Sequence, residues 1–129
     1  MSTFKSFEEI EAWQKARSLS NRIFEVTVKG SFARDFELKD QINGSSGSVM
    51  DNIAEGYERG GTREFIQFLS IAKGSAGETR SQLYRALDRN HIAKDVHDEL
   101  QIEVLKIGKQ LSTLISYLKS STLRGVKYK

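Results

Sequence analysis

The sequence predicts an all-α protein, folded as an antiparallel up-down-up-down four-helix bundle. Three observations carry this. None of the 129 residues is proline, the residue most hostile to a helix interior. Apolar residues recur at steps of three and four through four long segments, and no segment alternates with period two for long. The breaks between these segments are short, so successive helices should be antiparallel neighbours. The length suits one ordinary domain, spanning 1–129 as a single unit.

Helix one is expected over about 7–28. Ser6 is placed to cap it, and Glu9 stands at the capping-box spacing. Ile10, Trp13, Ala16, Leu19, Ile23 and Phe24 form its apolar face, with Trp13 an anchor for the core or an interface. Gly30 suits the left-handed position after the helix end. Helix two is expected over 36–58, with Leu38, Ile42, Ser45, Val49, Asn52 and Gly56 pointing inward. Half of those six are small or polar, which is unusual for a core face.

Gly60 and Gly61 break the chain, and Thr62 is the expected cap of helix three, over 63–89. Phe65, Leu69, Ala72, Ala76, Thr79, Leu83 and Ala86 step by four and three along it. Asn90 and His91 end it. Asp95 is the expected cap of helix four, over 96–119, lined by Val96, Leu100, Val104, Ile107, Leu111, Leu114 and Leu118. Ile102 and Leu105 project away from that stripe and are candidates for a subunit contact. A basic tail over 120–129 is expected to fray.

A hairpin centred between Gly60 and Gly61 sets Ser45–Ser48 level with Gly74–Gly77. Two clusters of small residues at one height predict a close approach of the two backbones, which would explain glycines inside helices.

Composition excludes several kinds of chemistry. Without cysteine there is no disulfide, thiolate metal site or thiol nucleophile. The opening residues hold no apolar stretch fit for a signal peptide, and no run approaches the ~20 apolar residues of a membrane span. A cytoplasmic protein is expected. The formal net charge of +3 permits an acidic partner such as RNA.

No enzyme site is expected, and no metal or cofactor. Neither His91 nor His97 follows a glutamate by three residues, as di-iron bundles require. Glu55 and Glu78 fall about twelve residues apart along the bundle, ~18 Å, too far to share an ion or a proton within one chain. No nucleophile elbow or triad grouping appears, and Gly60-Gly61-Thr62 lacks the lysine and strand of a phosphate loop. His91 and His97 read as exposed residues around the third connection. The polar residues read better as structure. Gln41, Ser45 and Asn52 share one side of helix two and can bridge to a neighbour, while Glu55 and Glu78 can pair with Arg59 or Arg80.

The distinctive strings are Asn52-Ile53-Ala54-Glu55-Gly56 with Arg59, and Gly74-Ser75 with Glu78. With Trp13-Gln14-Lys15-Ala16, Leu38 with Gln41, and the run from Phe65 through Glu78, the chain resembles the bacterial ribosomal-RNA intervening-sequence proteins along nearly its whole length. It departs from their pattern at Asn43–Asp51, where relatives carry a basic, alanine-rich stretch and a proline. The resemblance implies an up-down bundle that assembles with itself, as ring-shaped homopentamers. It implies no catalytic activity and no cofactor. The family is similar to the accessory protein of diversity-generating retroelements, which implies RNA or DNA as a partner, or another protein. On that footing Gln41, Asn52, Glu55, Gly56, Arg59, Gly74, Ser75 and Glu78 are family-motif positions, structural or at an interface. Lys119, Arg124, Lys127 and Lys129 have no acid among them and are the candidate nucleic-acid contacts.

Overall fold

The computed structural model describes residues 4–123. Four helices follow one another: α1 Glu11–Thr27, α2 Phe36–Glu58, α3 Thr62–Asp88 and α4 Lys94–Leu123. Cross-helix contacts fix their directions. From α2 to α3 they run Gln41–Arg85, Ser45–Gln82 and Ser48–Ser75. From α3 to α4 they run Arg80–Gln101 and Tyr84–His97. One number rises as the other falls, so each pair is antiparallel. Arg22 closes the square by pairing with both Glu99 and Glu103, tying α1 to α4.

The core is built from the expected positions. All seven inward residues of helix three are buried, as are Leu100, Val104, Ile107, Leu111 and Leu118 of α4. Trp13, Val96 and Leu114 are half-buried and pack against that core, while Phe24 and Asn52 depart further from their inward assignments. Phe24 is 53% exposed, because the core takes Ile23 and Thr27 instead. Asn52 is only half-buried, and Ile53 beside it fills the core.

The start of α1 also differs from expectation. Ser6 makes no side-chain cap bond, and Phe7–Glu9 forms a 3-10 turn instead. The Glu9 carboxylate accepts from the Lys5 amide at 2.9 Å rather than from Ser6. Ile10 is extended and buried, so α1 begins only at Glu11. The turn swings Phe7 edge-on to Trp13, with ring centroids 5.1 Å apart. Trp13 is half-buried there, with the Arg17 guanidinium over its ring, 5.8 Å from the centroid.

Each connection holds one left-handed residue: Gly30 at φ +57°, Gly60 at +84° and Asn90 at +59°. Glycine meets no Cβ penalty there, and asparagine is among the few other residues that tolerate it. Gly61, not Thr62, occupies the N-cap of α3. Asp95 lies inside α4 rather than before it, and its carboxylate accepts from the Val96 amide. Residues 120–123, assigned to a fraying tail, continue α4; residues 124–129 lie outside the description. The first connection carries a feature absent from the expectations: a 3-10 turn, Gly30–Arg34, that drives Phe32 fully into the core.

Candidate subunit and nucleic-acid interface

Most of the family-motif residues gather along the seam of α2 and α3, with Arg59 and Gly74 set back from it. Steps of three and four put Gln41, Ser45, Ser48, Asn52 and Glu55 on the edge of α2 that meets α3. Ser75, Glu78 and Gln82 answer from α3. At mid-seam, Ser45 Oγ donates to Gln82 Oε1 at 2.6 Å and lies 2.8 Å from Thr79 Oγ1. All three side chains are buried. Ser75 Oγ donates to Ser48 Oγ at 3.0 Å, and Asn52 Nδ2 donates to the Ser48 carbonyl and hydroxyl, both at 2.8 Å. Arg85 donates to Gln41 Oε1 at 2.8 Å. Asn52 thus reaches α3 only through Ser48, whereas Ser45 and Gln41 cross directly.

Ser48 meets Ser75 as the hairpin register expects, but Ser45 meets Thr79 and Gln82, beyond Gly77, and the reason given for the seam's glycines does not hold. A Cβ added at Gly44, Gly47, Gly74 or Gly77 meets nothing within 4 Å, so none of them permits the helix approach. Serine and threonine hydroxyls make the mid-seam contact instead. The close approach occurs nearer the turn, at Gly56, where an added Cβ would lie 2.6 Å from Phe68 Cβ and 3.2 Å from Phe65 Cδ1.

The two motif glutamates behave differently. Glu55 pairs with Arg59 at 2.9 Å, one turn along α2, and Arg59 also lies over the Phe68 ring. Both members of that ion pair are more than half exposed, so it adds little stability. Glu78 is exposed and does not pair with Arg80. Arg80 instead turns to α4, donating from Nε to Gln101 Oε1 at 3.0 Å, while Gln101 Nε2 donates back to the Arg80 carbonyl. These two bonds fix the amide orientation, so Gln101 Nε2 presents hydrogens to His97 Nε2 at 3.2 Å. His97 therefore accepts there and donates from Nδ1 to Asp98 Oδ1 at 3.1 Å. Far from being exposed, His97 is buried, with Tyr84 edge-on to its ring.

His91 likewise departs from an exposed reading. Its ring stacks on Phe32 at 4.9 Å, its Nε2 faces Asp35 Oδ2 at 2.8 Å and its Nδ1 faces Ser31 Oγ at 2.7 Å. Serine, histidine and aspartate thus come together where the sequence showed no such grouping, because the two connections meet only in the fold. The cluster reads as a clasp rather than a catalytic relay. Arg89 occupies the same Asp35 oxygen at 2.8 Å, and Asp35 Oδ1 caps α2 at the Leu38 amide. That carboxylate is committed to three partners, and Ser31 stands exposed in a surface turn. Among the described residues no group of three metal-binding side chains comes together.

The His91 hydrogen bond, and then that of Arg89, hold the Asp35 carboxyl at about 2, below its ordinary 3.8. The ionised form is favoured by the fold, so the clasp stabilises the protein fully above pH 3.8 and loses this contribution as pH falls through 2. Asp35→Asn keeps a capping oxygen and removes the charge. Thermal melts should show the variant less stable than the parent at pH 6, with the gap closing between pH 4 and pH 2. A gap independent of pH would contradict the charge-based account.

The cations show a polarity along α4. Its first half carries Asp95, Asp98, Glu99 and Glu103, while no acid follows Glu103 to the end of the chain. Lys106, Lys109 and Lys119 are exposed along that acid-free stretch. Lys119 is the one candidate nucleic-acid contact inside the described residues; Arg124, Lys127 and Lys129 lie outside them. Lys106 and Lys109, with Lys15 of α1, line an apolar groove with Phe4, Ile10, Leu114 and Tyr117; Glu9 and Glu11 share its edge, and Glu11 pairs with Lys15. Sequence reasoning missed these cations because it sought a single basic helix face, whereas the cluster is shared between two helices and one end of the bundle.

An antiparallel helical bundle with a hydroxyl-rich seam and a basic end defines the class of protein. Within that class, residues 8–113 match the 23S rRNA-intervening sequence protein family. The chain belongs to that family. A crystal structure of a protein of unknown function from the S23 ribosomal protein family of Bacteroides thetaiotaomicron superposes with a TM-score of 0.75. It is 24% identical, over 81% of this chain and 95% of that one, a likeness of fold. A search of curated proteins finds no match. Neither similarity indicates an enzyme, and no described helix is long and apolar enough to cross a membrane.

Proposed function

We propose that this chain is a non-enzymatic, self-associating bundle that binds RNA through phosphate contacts at its basic end, as an accessory to other machinery. The observation that carries this is the acid-free stretch of α4 after Glu103, with Lys106 and Lys119 exposed. Basic side chains on a stretch of helix that carries no acid suit a phosphate backbone, and binding of this kind reads charge rather than base sequence. The family's name, which speaks of ribosomal RNA, favours RNA over DNA as the polyanion. Exposed Ile102 and Leu105 favour self-association.

Fluorescence anisotropy with a short structured RNA tests the reading. Affinity should fall steeply with salt, and Lys106→Glu with Lys119→Glu should lower the salt slope by about one per lysine. Both side chains are exposed, so the fold should stand. Binding that ignores salt, or survives both substitutions, would overturn it.

The apolar groove between α1 and α4 favours a second reading, a scaffold that binds protein alone. It predicts a partner that is retained after nuclease digestion and lost on Tyr117→Asp.

A further inference from the structure

The edge where α1 meets α2 is left open. On α1, Arg17, Asn21 and Phe24 follow at steps of four and three; on α2, Lys39, Asn43, Gly47 and Met50 follow at steps of four, four and three. Each series forms one stripe of its helix. Between the stripes lies a groove of about 880 Å³, lined by Arg17, Asn21, Phe24, Lys39, Asp40 and Asn43. Gly47 leaves the α2 wall without a side chain between Asn43 and Met50, and a Cβ added there meets nothing within 4 Å. Glycine weakens a helix interior, and packing against a neighbour does not require it here. The polar groups of the groove are free to bind. Among the described residues, Arg17, Lys39 and Asp40 have no ion-pair partner, and the Asn21 side chain has no hydrogen-bond partner. Asn43 Nδ2 donates to Thr27 Oγ1 and to the Lys39 carbonyl, both at 3.0 Å, which leaves Asn43 Oδ1 as an acceptor. Phe24, the aromatic residue that the core declined, is more than half exposed in the same wall.

We propose that this groove holds a single-stranded segment of RNA, with one unpaired base stacked on Phe24, flanking phosphates at Arg17 and Lys39, and Asp40 reading an amino group on a base. The proposal rests on the RNA reading given above and adds a second surface to it, on α1 and α2, that tells bases apart. Geometry sets the order of the groups. The Thr27–Asn43 and Phe4–Tyr57 contacts show that the two segments run antiparallel. Arg17 therefore stands at the Met50 end, Lys39 at the Thr27 end, and Phe24 between them. Ten residues along α1 and four along α2 separate the two cations, ~21 Å at the backbone. That is too far for one phosphate and suits two phosphates of one strand on either side of a stacked base. An exposed aromatic ring between cations is the arrangement that binds single strands, because every base has a face to stack. A bare phosphate fits poorly, since Asp40 repels it, and an apolar chain fits poorly against amides and charges. A carboxylate in the lining needs a donor, and the cytosine amino group supplies one where uracil places a carbonyl.

Fluorescence anisotropy of the full chain with short oligocytidine and oligouridine strands tests this. The two differ at the group that Asp40 would read, so oligocytidine should bind about tenfold tighter. Asp40→Asn should bring the two affinities together. Phe24→Ala should weaken both strands about tenfold, and Phe24→Tyr, which stacks again, should restore them. Gly47→Leu should fill the groove and weaken both strands as well. Gly47 faces open space and Phe24 is exposed, so melts by circular dichroism should show the fold intact in each variant. Equal affinity for the two strands, or oligocytidine binding that survives Phe24→Ala or Gly47→Leu, overturns the site. The lysine substitutions on α4 report separately on the proposed function. If those lower the salt slope while Phe24→Ala changes nothing, the groove falls and the basic end stands. If strand binding follows Phe24 and ignores the α4 lysines, the groove stands and the basic end falls.

Discussion

Replacing Phe32 with alanine is expected to cost about 3–5 kcal/mol of stability, the range for truncating a fully buried phenylalanine. Phe32 has no exposed surface, although it stands in a five-residue 3-10 turn between two helices. Two losses combine. The ring leaves a cavity among core residues, and His91 loses the face on which it stacks. Without that face the imidazole is less firmly held against Ser31 and Asp35, so the clasp between the first and third connections loosens as well. Denaturant unfolding followed by circular dichroism measures the loss. A cost below about 1 kcal/mol would mean that the turn packs loosely and that the core ends at the helices.

The second large effect is a reversal of sign among glycines. Gly56→Ala should destabilise by about 1–3 kcal/mol, the usual cost of overpacking. Helix propensity favours alanine over glycine by about 1 kcal/mol, so the clash must exceed that gain to show. The neighbour at 2.6 Å is Phe68 Cβ, fixed to the α3 backbone, which cannot move aside without shifting the helix. Gly74→Ala and Gly77→Ala meet open space and should stabilise, each by about 0.5–1 kcal/mol. Melting the three variants side by side decides the matter. A gain at Gly56 would mean that α2 and α3 are not pressed together at that level. A loss at Gly74 or Gly77 would mean that their surface is covered by something outside the single chain.

The same contrast shows where sequence reading stops. Glycine identity and hairpin register were both legible, and the register held across the Ser48–Ser75 level. Which glycines face the neighbouring helix was not legible, because that depends on how each helix is rotated about its own axis. Phe24 and Asn52 were misplaced for the same reason: a wide apolar face leaves its edge residues undecided, and Ile23 and Ile53 won the core positions. The motif positions were singled out by sequence, but only the fold shows that most of them share one seam, with Arg59 set back beside Glu55 and Gly74 facing open space.

The sequence by itself determined the helical class, the four segments and their antiparallel order, because periodicity, short breaks and the lack of proline are local properties. It also determined the family. Only the tertiary structure decided the rest. It brought Ser31, Asp35, Arg89 and His91 from two distant connections into one clasp. It buried His97 against Gln101, which Arg80 holds in turn, and Tyr84. It left Ile102 and Leu105 in solvent between an acid and a base. Such contacts join residues tens of positions apart, and their geometry follows from how helices pack rather than from what any one helix contains.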